Sequence, residues 1–181
     1  MKKSFLFSAC ALALAACGGN ESVIDSDPNV LMHTDFEGLD GWLPSDKTRS
    51  LTQEKAHSGK TSMRVDATHE YSLSFSEPLG QLHDAQPKKI IVSAWTFVAD
   101  AQAAASLVAS ISNPASPDKP LLWQAIILSK ESTPYGEWKE VSQTITVPAN
   151  VGSANKLSIY LWRTSGTSPV YVDDIKATLV E

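Results

Sequence analysis

The chain has 181 residues, with 15 basic against 20 acidic side chains, a formal net charge of −5 and two cysteines, Cys10 and Cys17. An acidic balance without a basic cluster argues against nucleic acid as a partner. Two cysteines at the amino-terminal end leave no disulfide framework and no thiolate metal site for a folded domain.

Lys2 and Lys3 precede an apolar run over 5–16, and Cys17 is followed by Gly18 and Gly19. A short basic region, an apolar core and small residues before the cut describe a secretory signal. The run is shorter than the about 20 residues that a membrane-spanning helix needs. L-A-A-C at 14–17 resembles the lipobox of bacterial lipoproteins. That resemblance implies cleavage before Cys17 and acylation of its sulfur and new amino terminus. An ordinary signal peptide cut near Ala16 is the other reading. Several acyl chains, at about 0.8 kcal/mol per buried CH₂, make a durable membrane anchor. Gly18 is not the aspartate that retains lipoproteins at an inner membrane, so an outer-membrane location in the cell envelope is expected. Loss of Lys2 and Lys3 with the leader takes the formal charge from −5 to −7. Residues 17–29 are polar and include Pro28, as expected of a tether holding off a single domain at 30–181.

From Val30 the pattern is of short strands between turns. Candidate strands fall at 30–32, 48–53, 62–67, 71–75, 90–98, 106–112, 121–128, 138–147, 156–163 and 169–180. In 62–67 the apolar Met63, Val65 and Ala67 alternate with Arg64 and Asp66, and 90–98 is a nearly continuous β-branched and aromatic run. Residues 99–105, rich in alanine, are the one helical candidate. Strands at this spacing, without helical periodicity, predict an all-β sandwich or barrel. The last strand reads P-V-Y-V-D-D-I-K-A-T-L-V. Val170 and Val172, then Ile175, Ala177 and Leu179, alternate on either side of Asp173 and Asp174. Two adjacent carboxylates in a core strand need donors or a cation, because burial penalises ionisation.

Five segments in order resemble carbohydrate-binding modules of the galactose-binding-like jelly-roll group, especially families 4, 9 and 22. They are D-F-E-G-x-x-G-W at 35–42, A-H-S-G-K-T-S-M-R-V at 56–65, I-V-S-A-W at 91–95, G-E-W-K-E-V at 136–141 and Y-V-D-D-I at 171–175. The resemblance implies a jelly-roll sandwich and a structural calcium held by Glu37 and Asp173, with carbonyls near 58–60. The alternative is that backbone N–H groups or a lysine satisfy Asp173 and that Asp174 faces solvent. Gly38, Gly41 and Gly59 stand where turns need positive φ or close approach. Trp42 and Trp138, each after a turn, are expected to plug the ends of the sandwich.

Strand parity sorts the remaining aromatics. Leu157, Ile159 and Leu161 mark a core face, so Tyr160 and Trp162 point outward. In 90–98 the resemblance puts Ile90, Val92 and Ala94 on the inner side, which implies that Trp95 and Phe97 point outward. On a concave sheet such rings would stack on the apolar C–H faces of a poly- or oligosaccharide, with Arg163, Gln124 and Arg64 meeting its hydroxyls. They could instead pack under a loop. No nucleophile elbow, phosphate loop or metal-binding histidine spacing is present, and His33, His57, His69 and His83 are scattered. Glu70, Glu77 and Glu131 read as solvated charges before they read as a glycosidase pair. The reading is therefore a non-catalytic, lipid-anchored envelope protein binding a glycan. An assembly lipoprotein using the sandwich for protein contacts comes second, and a polysaccharide hydrolase or lyase third.

Overall fold

The computed structural model describes residues 27–39, 43 and 49–180. The leader, the acylation site Cys17, most of the tether, Gly41 and Trp42 lie outside the described residues. The strands are β1 (Val30–Thr34), β2 (Leu51–Thr52), β3 (Ser62–Val65), β4 (Phe75–Pro78), β5 (Lys89–Val98), β6 (Ala103–Ser112), β7 (Leu122–Ile127), β8 (Trp138–Thr146), β9 (Lys156–Gly166) and β10 (Val170–Val180). Single helical turns α1 (Leu79–Leu82) and α2 (Leu128–Glu131) interrupt them. The all-β expectation holds: among the described residues these strands make two antiparallel sheets. One runs β2-β3-β10-β5-β8 with β1 also paired to β10, and the other runs β4-β9-β6-β7.

Alternation explains how the sheets face each other. In β5 the even-numbered residues from Ile90 to Val98 are buried, while Ile91, Ser93, Trp95 and Phe97 are half-buried on the outer side. In β9 Leu157, Ile159 and Leu161 are buried and Ser158, Tyr160 and Trp162 face out. The inner faces interdigitate as one core that includes Ile90, Val92, Leu107, Ile111 and Leu161, the packing expected of a sandwich. The helical candidate at 99–105 is a turn leading into β6, which its last three residues open. Ala103 and Ala105 are buried and pair with Gly166 and Arg163, so cross-strand bonding overrides alanine's modest helix preference.

The last strand is the seam of the larger sheet. Along one edge β10 pairs with β5; along the other it pairs with β3 through Val170–Val172 and then with β1 through Ile175–Thr178. The change of partner falls at Asp173 and Asp174, where the β5 register shifts and Asp174 takes a φ of 48°. An extra residue in one strand of a pair reverses which side chains face inward. The buried set accordingly switches from Val170 and Val172 to Ile175, Ala177 and Leu179. The acidic pair is a β-bulge, and its interruption of the period of two is the trace of that bulge.

Candidate functional site

The sandwich presents two outer faces, and the aromatics expected to form one site divide between them. Trp95 and Phe97 lie on the six-stranded sheet; Tyr160 and Trp162 lie on β9 in the four-stranded sheet. The core separates them, so they do not form one surface.

On the six-stranded sheet a loop over 53–61 covers the rings. The His57 ring stacks on Trp95 with centroids 3.8 Å apart and planes 10° apart. Trp138, expected to plug an end of the sandwich, sits half-buried on this outer face and meets His57 and Phe97 edge-on. Lys55 Nζ lies 4.6 Å above the centre of Phe97, and the buried Tyr171 hydroxyl donates to Glu54 (2.8 Å). This face follows the alternative reading of aromatics packed beneath a loop.

The bulge secures that loop. The N–H groups of His57 and Ser58 donate to Asp173 Oδ2 at 2.8 and 3.2 Å, and the Asp174 N–H donates to Oδ1 at 2.8 Å. Asp174 faces the loop, not solvent: Ser58 Oγ donates to its Oδ1 at 2.6 Å, and His57 Nδ1 lies 2.6 Å from its Oδ2. Asp173 has no exposed surface, and burial pushes its carboxyl up to about 6 despite the three N–H donors. Glu37 Oε1 accepts the N–H groups of Lys60 and Thr61 at 2.8 and 2.6 Å. Just before them Gly59 has a φ of 55°, the left-handed region that favours glycine, and a Cβ there would lie 2.5 Å from Glu37 Cδ and push the Glu37 side chain off these N–H groups.

The donor set bears on the calcium implied by the resemblance. Calcium takes about six to eight oxygens. Glu37 and Asp173 face backbone N–H groups, the opposite polarity from the carbonyls of a cation shell. Among the described residues no three His, Cys, Asp or Glu side chains gather on one point. As arranged, these residues fit an amide-held clasp and not a cation shell.

The outer face of the four-stranded sheet is open. Tyr71 bridges to Trp162 just before β4, and their rings are nearly parallel at 4° with centroids 6.2 Å apart. Tyr160 lies 6.3 Å from Tyr71, and Trp123 of β7 meets Trp162 edge-on at 6.2 Å. Tyr71 is 57% exposed and Trp123 45% exposed, the two most exposed large apolar side chains described. Below the rings register aligns Ser76, Ser158 and Ser110 across β4, β9 and β6, and Ser76 and Ser158 hydrogen-bond at 3.0 Å. With Ser74, Ser112, Trp123, Tyr160 and a rim of prolines they line a depression of about 450 Å³. Trp162 Nε1 donates to Glu70 at 3.4 Å. The face thus combines apolar ring surface with hydroxyl donors and acceptors.

Other sequence-level candidates fall elsewhere. Arg163 has the opposite parity from Trp162; its Nη1 donates to Gly166 O at 3.1 Å, and its Nε is buried without a partner. Arg64 belongs to the larger sheet, paired to Glu54 and Asp66. Gln124 stands opposite Ala109 on edge strand β7 and is exposed. Of the carboxylates weighed for hydrolysis, only Glu70 sits at the aromatic cluster; Glu77 is on β4 and Glu131 ends α2. Tyr71, which opens the candidate strand at 71–75, is not among the outward aromatics that parity singles out. The strand begins only at Phe75, so the period of two does not extend back to it. Alternating serines at 74, 76, 110, 112 and 158 were the available signal for the floor.

Asp66, at the end of β3, gives this region a pH dependence. Burial alone would raise its carboxyl, but the Thr68 hydroxyl and N–H, His69 and the charge of Arg64 outweigh burial and hold it at about 2. A depressed carboxyl contributes stability above its unfolded value and loses it as pH falls through the folded one. The wild type should therefore lose about 2 kcal/mol more than Asp66→Asn between about pH 5 and pH 2, read from urea midpoints. Equal losses would show that the Thr68 and Arg64 contacts do not hold the charge.

No family model matches the sequence. Endo-1,4-beta-xylanase A of Thermotoga neapolitana is 28% identical over 159 residues, and that of Thermotoga maritima 27% over 154. Each match covers 84% of this chain, which spans only 14% of either relative's length. Among solved structures, the CBM22-1 xylan-binding domain of Paenibacillus barcinonensis superposes with a TM-score of 0.52 at 17% identity, covering 85% of this chain and 96% of that one. The C-terminal family 22 carbohydrate binding module of a Clostridium thermocellum protein gives 0.54 at 12% identity, covering 84% and 94%. A family 16 carbohydrate binding module gives 0.52 at 17% identity, covering 82% and 96%. Over most of its described length, this chain has the two-sheet β-sandwich of the family 22 carbohydrate-binding structures.

Proposed function

We propose that this protein is a non-catalytic glycan-binding module that holds a xylan-type polysaccharide across the outer face of its four-stranded sheet. One observation carries the reading: Tyr71, Trp162, Tyr160 and Trp123 are open beside a serine floor, whereas the rings of the opposite face are roofed by their own loop. Sugar rings have apolar C–H faces and hydroxyl edges, so aromatic platforms beside small polar side chains meet both. The similarity to parts of two xylanases and to xylan-binding domains supports xylan as the polymer. A recessed floor suits a chain-like ligand better than the flat, self-complementary patch that protein assembly would call for. The lipobox-like L-A-A-C supports display of the module from a membrane of the cell envelope through Cys17.

Affinity electrophoresis in gels containing xylan tests the site. The wild type and Trp95→Ala should both be retarded, because Trp95 lies under the loop, whereas Tyr160→Ala should migrate as in a gel without polymer. Loss of retardation in Trp95→Ala with Tyr160→Ala unaffected would move the site to the opposite sheet. No retardation of the wild type in xylan or other polysaccharides would end the glycan reading.

A further inference from the structure

Charge around the open face runs against the charge of the chain. Acidic residues outnumber basic ones overall, yet the serine-floored depression is lined by Lys156 and by no carboxylate. Ser74 also lines a second depression of about 570 Å³ beside Tyr71, where Arg49 and His69 stand with a single carboxylate, Glu70. Glu70 is engaged by Trp162 Nε1, and His69 by Asp66 and Thr68. Neither Arg49 nor Lys156 has an ion-pair partner among the described residues. Arg64 and Lys139 are paired, and Lys55 is seated over Phe97. Lys60, Lys88, Lys89, Lys119 and Lys130 also lack an ion-pair partner among the described residues, but none of them lines either depression, so Arg49 and Lys156 are the unpaired lysine and arginine at the open face.

We propose that the groove selects an acidic glycan: a neutral backbone stacks on Tyr71, Trp162, Tyr160 and Trp123, and carboxylate-bearing side units reach Arg49 and Lys156. The proposal rests on the glycan-binding reading above and names the kind of polymer. A guanidinium offers forked donors that match a carboxylate, and an ammonium offers a compact charge on a flexible stem. A chain of formal charge −5 repels a polyanion at long range, so preference for one has to arise from unpaired cations at the site itself.

The test compares glucuronoxylan with the same polymer after its uronate carboxyls have been reduced to alcohols, by affinity electrophoresis at low salt. The wild type should bind the acidic form about three- to tenfold more tightly, as expected for two solvent-exposed ion pairs. The preference should vanish in Lys156→Gln/Arg49→Gln, whose affinities for the acidic and the reduced polymer should be equal, and in the wild type it should shrink as salt is added. Equal wild-type affinity for the two polymers, or a preference that survives in the double variant, overturns the proposal and leaves the glycan reading intact. Failure to bind either polymer removes both.

Discussion

Trp162→Ala should weaken retention on xylan by at least about thirty-fold, the scale of a tryptophan hot spot worth roughly 2 kcal/mol or more. Trp162 is the hub of the open face. It lies parallel to Tyr71, edge-on to Trp123, and donates to Glu70. Its removal takes away stacking area and also the neighbours that hold Tyr71 and Trp123 in place. The effects of Trp162→Ala and Tyr71→Ala should therefore fall short of additive in the double variant. Because both rings are solvent-facing, the urea midpoint should move little. Unchanged retention in Trp162→Ala would place the sugar elsewhere, and a collapse of the midpoint would make Trp162 a structural residue.

Asp173→Ala should lower stability by about 3 kcal/mol, because each buried donor left unpaired costs about 1–3 kcal/mol. Three N–H groups converge on this fully buried carboxylate, those of His57, Ser58 and Asp174. The loop over 53–61 would lose its main attachment, and the His57 ring its position on Trp95, so tryptophan fluorescence should change before global unfolding. Asp174→Ala should cost less, since its partners Ser58 Oγ and His57 are side chains that can turn to water. Melts with calcium and with EDTA address the ion implied by the resemblance. With the carboxylates facing N–H groups, the wild-type midpoint should be the same in both. A midpoint that falls in EDTA would show that loop carbonyls turn toward an ion.

Much of this was legible in the residues. Alternation in β9, and the family resemblance over the nearly continuous apolar run of β5, set the inner and outer faces before any coordinates, and Trp95, Phe97, Tyr160 and Trp162 all point outward as expected. The break of period at Asp173 and Asp174 was visible too, but periodicity reports an interruption without saying what compensates it. A bulge, a cation and a pair of solvated charges all leave that trace. Register with β5, a positive φ at Asp174 and three N–H donors identify the bulge.

The sequence alone determined the all-β class, because a period of two with turns at short intervals buries its apolar side chains by stacking sheets or closing a barrel, and long-range strand pairing decided for the sandwich. It also determined which side chains are surface-facing in β9, where alternation is unbroken and depends only on neighbours in the chain. It could not determine which outward rings share a surface, because strand order is a matter of long-range pairing. The four expected ligand aromatics lie on opposite sheets for that reason. Nor could it tell a roofed face from an open one. His57 covers Trp95 only because the bulge in β10 holds a loop more than a hundred residues earlier in the chain. Tyr71 joins Trp162 only because the segment before β4 runs beside β9. Contacts of that kind are set by packing and backbone donors in three dimensions, and they turn two similar-looking aromatic strands into one clasped wall and one open face.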